Sequence, residues 1–213
     1  MKISIHQPQF LPWLSYFLKI EKSDKFIFLD DVGFHKNGLQ NRNKIKNSNG
    51  DFWLTVPILQ SAGQKIIDVK INNKINWKKK HINSLKFSYH KSPYFDQYFD
   101  EIKNIYDLEW TYLHELNICL IKKILSWMEI YSILERSSEI NVDGASSDLI
   151  LNLCLKLGAS EYISGIGSEN YLNKNNFQDH GVKIVQAKPI IPNKYPQQFQ
   201  KAGFSDSLSV IDL

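Results

Sequence analysis

A histidine closes the first apolar run of the chain, Ile3-Ser4-Ile5-His6-Gln7. An unperturbed imidazole titrates near working pH, so His6 is suited to act as a general base or to donate to a phosphoryl oxygen; a histidine that only caps its loop is the plainer alternative. Two acids, Asp30 and Asp31, close the next apolar run, Lys25-Phe26-Ile27-Phe28-Leu29. Adjacent side chains on an extended segment point apart, so one carboxylate can face a site while the other bonds backbone amides. Such a pair could also hold a divalent cation with substrate phosphates, although acidic pairs are common in turns, and no metal is assigned. A third group lies in 34–44, a polar stretch without acids. Its Lys36, Arg42 and Lys44 can neutralise a diphosphate, while Asn41 and Asn43 offer donors and acceptors to sugar hydroxyls or a base edge. A solvated loop would have the same composition.

Charge is unevenly spread around these residues. The 213-residue chain carries 26 Lys and Arg against 22 Asp and Glu, a net +4. From Val32 to Lys91 there are 12 basic and 2 acidic residues, a balance of +10, which leaves −6 for the remainder. A stretch this basic suits a nucleic-acid surface, a phosphate-rich substrate or anionic headgroups. Surface lysine without a role competes with all three, since the chain has 24 Lys and only 2 Arg. Where lysine is the default cation, Arg42 suggests a need for a planar, bidentate fork.

Periodicity supplies the elements that position these groups. Residues 2–5 and 25–29 read as strands and 12–21 as a helix carrying Trp13, Leu14, Phe17, Leu18 and Ile20, which makes a βαβ unit with Pro12 in the first helical turn. Residues 52–58 and 66–71 read as further strands. From Trp77 the pattern becomes helical, over 77–89, 94–106 and 110–128, the last with Leu113, Leu116, Leu120, Ile121, Ile124 and Met128 on one face. A helix over 148–157 capped by Ser146 or Ser147, a strand over 161–164, a helix over 169–180 and a strand over 182–186 make a second βαβ-like unit. The tail from Pro189 reads as loop. The expectation is an α/β fold: a mostly parallel, Rossmann-like sheet built from βαβ units, forming one domain over 1–213 with a mainly helical insertion around 77–140. In such a sheet ligands bind beyond the carboxyl ends of the strands. His6-Gln7, Asp30-Asp31 and Ser164-Gly165 would all project there, and the helix dipole after Pro12 would favour an anionic group.

Other chemistries find less support. No spaced-glycine phosphate loop or dinucleotide fingerprint is present, so neither ATP nor NAD is inferred and no cofactor is assigned. No Cys/His set has zinc spacing, and Cys119 and Cys154 sit in apolar helical patterns as expected of buried, reduced thiols in a cytoplasmic protein. Trp77-Lys78-Lys79-Lys80-His81 with Tyr89 and Pro93-Tyr94-Phe95 mixes bases with aromatics, but a helix with a wet lysine face explains it more cheaply, so nucleic acid is not the expected partner. No apolar run is long enough to span a bilayer, and the N-terminus reads as a strand, not a signal peptide.

The run Ile5-His6-Gln7-Pro8-Gln9-Phe10-Leu11-Pro12-Trp13-Leu14-Ser15-Tyr16-Phe17 resembles the WbqC-like protein family. So do Phe28-Leu29-Asp30-Asp31-Val32, Asn41-Arg42-Asn43-Lys44-Ile45, Trp53-Leu54-Thr55-Val56-Pro57, and Tyr162-Ile163-Ser164-Gly165 with Tyr171 and Phe177. Ser15 stands where the family usually has Gly, and the family usually continues beyond the equivalent of Leu213. The resemblance adds Trp53 and Tyr171 to the binding candidates Gln7, Lys36, Asn41, Arg42, Lys44 and Ser164. It implies an enzyme of bacterial O-antigen or surface-polysaccharide biosynthesis. The implied reaction moves an aminoacyl group, with glycyl proposed for some members, or another acyl group to an amino sugar on a nucleotide or lipid carrier. Its partners would be a sugar nucleotide or other phosphorylated small molecule and an acyl or aminoacyl donor. His6 would serve as base, Asp30 or Asp31 would orient it or the acceptor, and the cations would hold phosphates. An ATP- and Mg²⁺-dependent nucleotidyltransferase or ligase and a non-enzymatic basic binding module are the alternatives.

Overall fold

The computed structural model describes residues 1–59, 62–168, 171–187 and 194–213. In chain order the first elements are β1 (Lys2–His6), α1 (Leu14–Glu21), β2 (Lys25–Phe28), β3 (Arg42–Asn47), β4 (Gly50–Thr55), β5 (Ile58–Leu59) and β6 (Lys70–Ile71). Then come α2 (Trp77–Tyr89), α3 (Phe95–Asp107), α4 (Leu113–Trp127), β7 (Ile133–Arg136), α5 (Ser137–Ile140), α6 (Ser146–Lys156), β8 (Glu161–Ser164), α7 (Lys174–Asp179) and β9 (Lys183–Gln186). They fall into two compact units. The first comprises Met1–Pro8, Ser15–Asp31 and Leu125–Ile190; the second comprises Gln9–Leu14, Val32–Ile124 and Ile191–Leu213.

The first unit is an α/β layer structure. Its five strands lie in the order β7-β2-β1-β8-β9, and every pairing is parallel. Ile3, Ser4 and Ile5 are all buried, as are Phe26, Ile27 and Phe28, the near-continuous burial that a sheet covered on both faces requires. On α1, Tyr16, Phe17, Lys19 and Ile20 turn inward. Tyr16 meets Phe26 edge-on with ring centroids 5.5 Å apart, and Ser23 Oγ donates to Ser4 Oγ at 2.6 Å. On the later strands, Tyr162 of β8 packs against Phe177 of α7 with centroids 5.8 Å apart.

The second unit combines two strand pairs with helices. β3 and β4 form an antiparallel hairpin in which Arg42 faces Thr55 and Asn47 faces Gly50. Its turn needs glycine at Gly50, where φ is +102°. β5 and β6 form a second antiparallel pair. Inside, His81 of α2 bonds the Thr55 carbonyl from Nε2 at 3.1 Å and meets the Tyr106 hydroxyl at Nδ1 at 3.2 Å. Burial lowers its pKa to about 4, so it is a neutral structural histidine.

Several expectations needed correction. Residues 52–58 and 66–71 are not additional strands of the main sheet: the first divides into β4 and β5, and the second is a 3₁₀ turn, Ile66–Asp68, followed by β6. Arg42–Asn47, read as part of a polar segment, is a strand with Ile45 fully buried. α1 begins at Leu14, so Pro12 precedes the helix instead of occupying its first turn. α6 has Ala145 as its N-cap without a side-chain bond; Ser147 Oγ instead accepts from the Asn173 amide at 2.9 Å. Cys119 is half-buried, unlike the buried Cys154. The expected helix over 169–180 is present as Lys174–Asp179, and Pro189 and Pro192 lie outside the described residues, as do Glu169 and Asn170. The last of the three long helices ends at Trp127, and β7, which follows, joins the main sheet.

Candidate functional site

In the first unit the strand order reverses between β1 and β8. At such a reversal the connections leave to opposite faces, and a crevice opens beyond the carboxyl ends of the two strands. The parallel register pairs Ser4 with Ile163, so the last residues of the strands, His6 and Ser164, emerge at the same edge. The positional expectation for these two residues is met. Ser164 is buried and also lines a cavity of about 480 Å³ with Lys174, Gln178, Lys183 and Gln186. Tyr171, by contrast, is exposed.

His6 is half-buried, with its ring edge-on to Tyr16 at a centroid separation of 5.0 Å. Its Nδ1 lies 3.2 Å from the Gln7 carbonyl, which also accepts from the Tyr16 hydroxyl at 3.1 Å. A carbonyl can only accept, so Nδ1 carries the hydrogen and Nε2 is the basic nitrogen of the neutral ring. Desolvation, with the charge of Lys19 second, lowers the His6 pKa to about 3, against a small upward push from the Gln7 carbonyl. The ring is therefore neutral at physiological pH, and an anionic ligand beside it would raise its basicity.

Lys19 adds a buried cation beside β1 that the sequence analysis does not single out. Its side chain is only 5% exposed, and Nζ donates to the Ile5 carbonyl at 2.9 Å. Desolvation lowers its pKa to about 7. The available signal was a lysine between Leu18 and Ile20 and three residues after Tyr16, on the helix face that turns to the sheet.

Asp30 and Asp31 bond the same junction, Asp30 with more partners. Asp30 is fully buried and accepts from the Ser138 amide at 3.1 Å, Ser138 Oγ at 2.9 Å and Ser137 Oγ at 3.2 Å. Arg136 Nε lies 3.2 Å from its Oδ2, the oxygen that also accepts from Ser138 Oγ, and 3.3 Å from Glu139. Asp31 accepts from Ser137 Oγ. Both carboxylates thus hold the end of β7 and the start of α5 beside the end of β2, and Asp30 spends its acceptors there. Arg136 is the second of the two arginines, so the argument that singled out Arg42 applies equally to it.

In the second unit, β3 and β4 carry a cationic aromatic stack. The Arg42 guanidinium sits 4.3 Å from the centroid of Trp53, and Lys44 Nζ lies 5.4 Å from it. Trp53 remains 42% exposed. Arg42 donates to the Asn37 carbonyl at 2.6 Å, and Lys44 lies 3.6 Å from Asp51. Asn41 and Asn43 are buried and donate to the Val56 and Leu11 carbonyls at 3.1 and 2.7 Å, so they pin backbone, although Oδ1 of Asn41 has no partner among the described residues. Lys36 is exposed. The structure thus joins Arg42, Lys44 and Trp53, while His6, Gln7, Asp30, Asp31, Ser164 and Tyr171 belong to the other unit.

No cluster of three or more metal-binding side chains occurs among the described residues. Burial lifts the Cys154 thiol to about 12, which removes its nucleophilic form at neutral pH.

The profile of the WbqC-like protein family matches residues 7–213. The chain belongs to the WbqC-like protein family. It is also 32% identical over 216 residues to "Uncharacterized protein Rv1507c" of Mycobacterium tuberculosis, an alignment that covers 100% of this chain and 92% of that protein. No solved structure matches. Within this WbqC-like chain, no helix among the described residues is long and apolar enough to cross a membrane.

Proposed function

We propose that this WbqC-like protein is a transferase of bacterial surface-polysaccharide or O-antigen biosynthesis that moves an aminoacyl, for example glycyl, or other acyl group to an amino sugar on a nucleotide or lipid carrier. The supporting observation is His6 at the reversal of strand order, with its basic Nε2 defined by the hydrogen bond from Nδ1. In the reaction the sugar nitrogen attacks the acyl carbon, a C–N bond forms, and the bond from the acyl carbon to the donor's leaving group breaks with its electron pair departing on that group, while the sugar stays attached to its carrier. His6 Nε2 takes the proton that the nitrogen sheds. An anionic substrate would offset the desolvation that weakens the base.

Asp30 and Asp31 support the reaction by holding the strand ends in place, and Gln7, Ser164 and Tyr171 contribute to binding. Taken by itself, the surface of the second unit suits an anionic nucleotide: Lys36, Arg42 and Lys44 supply charge for phosphate, and Trp53 offers a stacking face for a base. The reading also treats 1–213 as one functional domain acting in the cytoplasm.

A thermal-shift panel of nucleotide sugars, acyl donors and ATP with Mg²⁺ tests the substrate class. Stabilisation by a nucleotide amino sugar, with turnover abolished but binding retained in His6→Ala, is the expected result. Full activity in His6→Ala would remove the histidine from the chemistry. Stabilisation confined to ATP with Mg²⁺ would favour a ligase or nucleotidyltransferase.

A further inference from the structure

The second unit contains a cavity of about 300 Å³ that no residue of the proposed site lines. Aromatic rings form much of its wall: Tyr89 from α2, Phe95, Tyr98 and Phe99 from α3, and Tyr195 from the C-terminal segment. Phe95 and Phe99 stack with centroids 4.4 Å apart and present a continuous surface. A site walled only by rings would take any apolar body of the right size. This one also has Asp212 in its lining, a carboxylate on a residue only 9% exposed.

Asp212 is held by phenols. Tyr89 donates to Oδ1 at 2.9 Å and Tyr195 donates to Oδ2 at 2.7 Å, while Gln197 Nε2 donates to the Tyr195 oxygen at 2.8 Å. Burial, with the carboxylate beside them, pushes both phenols well above their ordinary pKa, so both remain donors. A carboxylate has roughly four acceptor positions, and the two phenols use two. Among the described residues no lysine, arginine or histidine pairs with Asp212. A buried carboxylate without a cation costs free energy unless something bound supplies the charge.

The surrounding charge agrees. The strongly basic stretch of the sequence ends at Lys91; on α3, which follows, Glu101 pairs with Lys123 and Asp107 with Lys103, while Asp96 and Asp100 add negative charge with no ion pair among the described residues. Aromatic faces attract cations through their quadrupoles, and methylated ammonium groups, which are large and weakly hydrated, gain most from such walls.

We propose that this cavity binds an organic ammonium ion, a quaternary or methylated amine on a small apolar body, with its charge among the rings and beside Asp212. The inference is independent of the transferase reading, because it uses neither His6 nor the cationic stack on β3 and β4.

Isothermal titration of the full chain with choline and with benzyltrimethylammonium tests it, alongside dimethylbutanol, the neutral carbon isostere of choline. The ammonium probes should bind at millimolar concentration or below, and the isostere should bind at least about tenfold more weakly. Asp212→Asn should weaken the ammonium probes by a similar factor. Should that change loosen the C-terminal segment, Tyr94→Ala keeps the test open, since Tyr94 lines the cavity but is exposed. That variant should retain the wild-type Tm and lose about threefold to tenfold in affinity. Equal binding of choline and its isostere, or unchanged ammonium binding in a folded Asp212→Asn, would reduce the cavity to an apolar pocket and overturn the proposal. Absence of heat with either ammonium would also overturn it.

Discussion

Replacing Asp30 by alanine should destabilise the first unit by about 3 kcal/mol. The fully buried carboxylate accepts two hydrogen bonds, from the Ser138 amide and Ser138 Oγ, shares the single Ser137 hydroxyl proton with Asp31, and lies 3.2 Å from Arg136 Nε. Hydrogen bonds to a charged group contribute about 1.5–3 kcal/mol each, and removing one partner of a buried ion pair costs about 3–5 kcal/mol in all. The lower end applies here for two reasons. The serine hydroxyls can rotate toward other acceptors, and the Arg136 side chain is 32% exposed and keeps Glu139 at 3.3 Å, so solvent screens part of the loss. With a urea m value of about 2 kcal/mol per molar, the midpoint should fall by roughly 1.5 M. Far-UV circular dichroism gives that midpoint, and hydrogen exchange at the Ser138 amide gives the local counterpart, because that amide donates to Asp30. Asp31→Ala, which removes only the Ser137 contact, should cost less than about 1 kcal/mol. A midpoint shift in Asp30→Ala no larger than that of Asp31→Ala, with unchanged m, would refute the assignment of Asp30 as the tie between β2 and the β7–α5 junction.

Stability should depend on pH through Lys19 and His6 in separate windows. With Lys19 lowered to about 7, the unfolded chain holds a proton that the folded chain lacks between about pH 7 and 10.5, so stability rises with pH there, and Lys19→Met should flatten the rise in urea midpoints. His6, lowered to about 3, makes stability fall as pH drops from about 6.5 toward 3; His6→Gln should remove its share, leaving that of His81, which titrates near 4. Lys19→Met should also raise the His6 pKa in an NMR titration, and an unmoved value would remove Lys19 as its electrostatic neighbour. Trp53→Ala should weaken nucleotide-sugar binding about fivefold to tenfold in equilibrium titrations, while adenine- and uracil-containing carriers should lose similar amounts, since stacking is tolerant of the base. Lys46 donates to Gln197 Oε1 at 3.0 Å and to the Gly203 carbonyl, so Lys46→Met should speed proteolytic cleavage after Lys201.

The first β-strand, first helix and second strand were legible because their apolar runs are short, regular and separated by turn residues. The sequence places α2 at its observed limits, and α3 and α4 within a few residues, because Leu85 and Tyr89, Ile102 and Tyr106, and Leu113 and Leu116 keep helical spacing within each helix. β3 was hidden: Arg42-Asn43-Lys44-Ile45-Lys46-Asn47 looks solvated, yet Asn43 and Lys46 are buried through bonds to the Leu11 carbonyl and to the C-terminal segment. A hydrogen bond to residues so distant in sequence leaves no local pattern. β7 was missed because four residues with an exposed Ile133 cannot show a period. His6 was legible from its place after a strand. Its neutrality was not, because that depends on the depth of its surroundings and on Lys19, which lies thirteen positions along the chain.

The partnership of β1 also orders events during synthesis. β1 gains β2 as a neighbour within the first 28 residues, but its other edge waits for β8, whose Glu161 pairs with Lys2. Until the ribosome has delivered that segment, β1 exposes a row of unpaired amides and carbonyls flanked by apolar side chains, the kind of template on which nascent chains aggregate. The hairpin of β3 and β4, whose partners are separated by a two-residue turn, can close in the meantime. The central strand of the first unit is therefore among the earliest made and the latest completed. Conditions that slow elongation between residues 30 and 160 should lower the yield of native protein more than the same delay near the C-terminus.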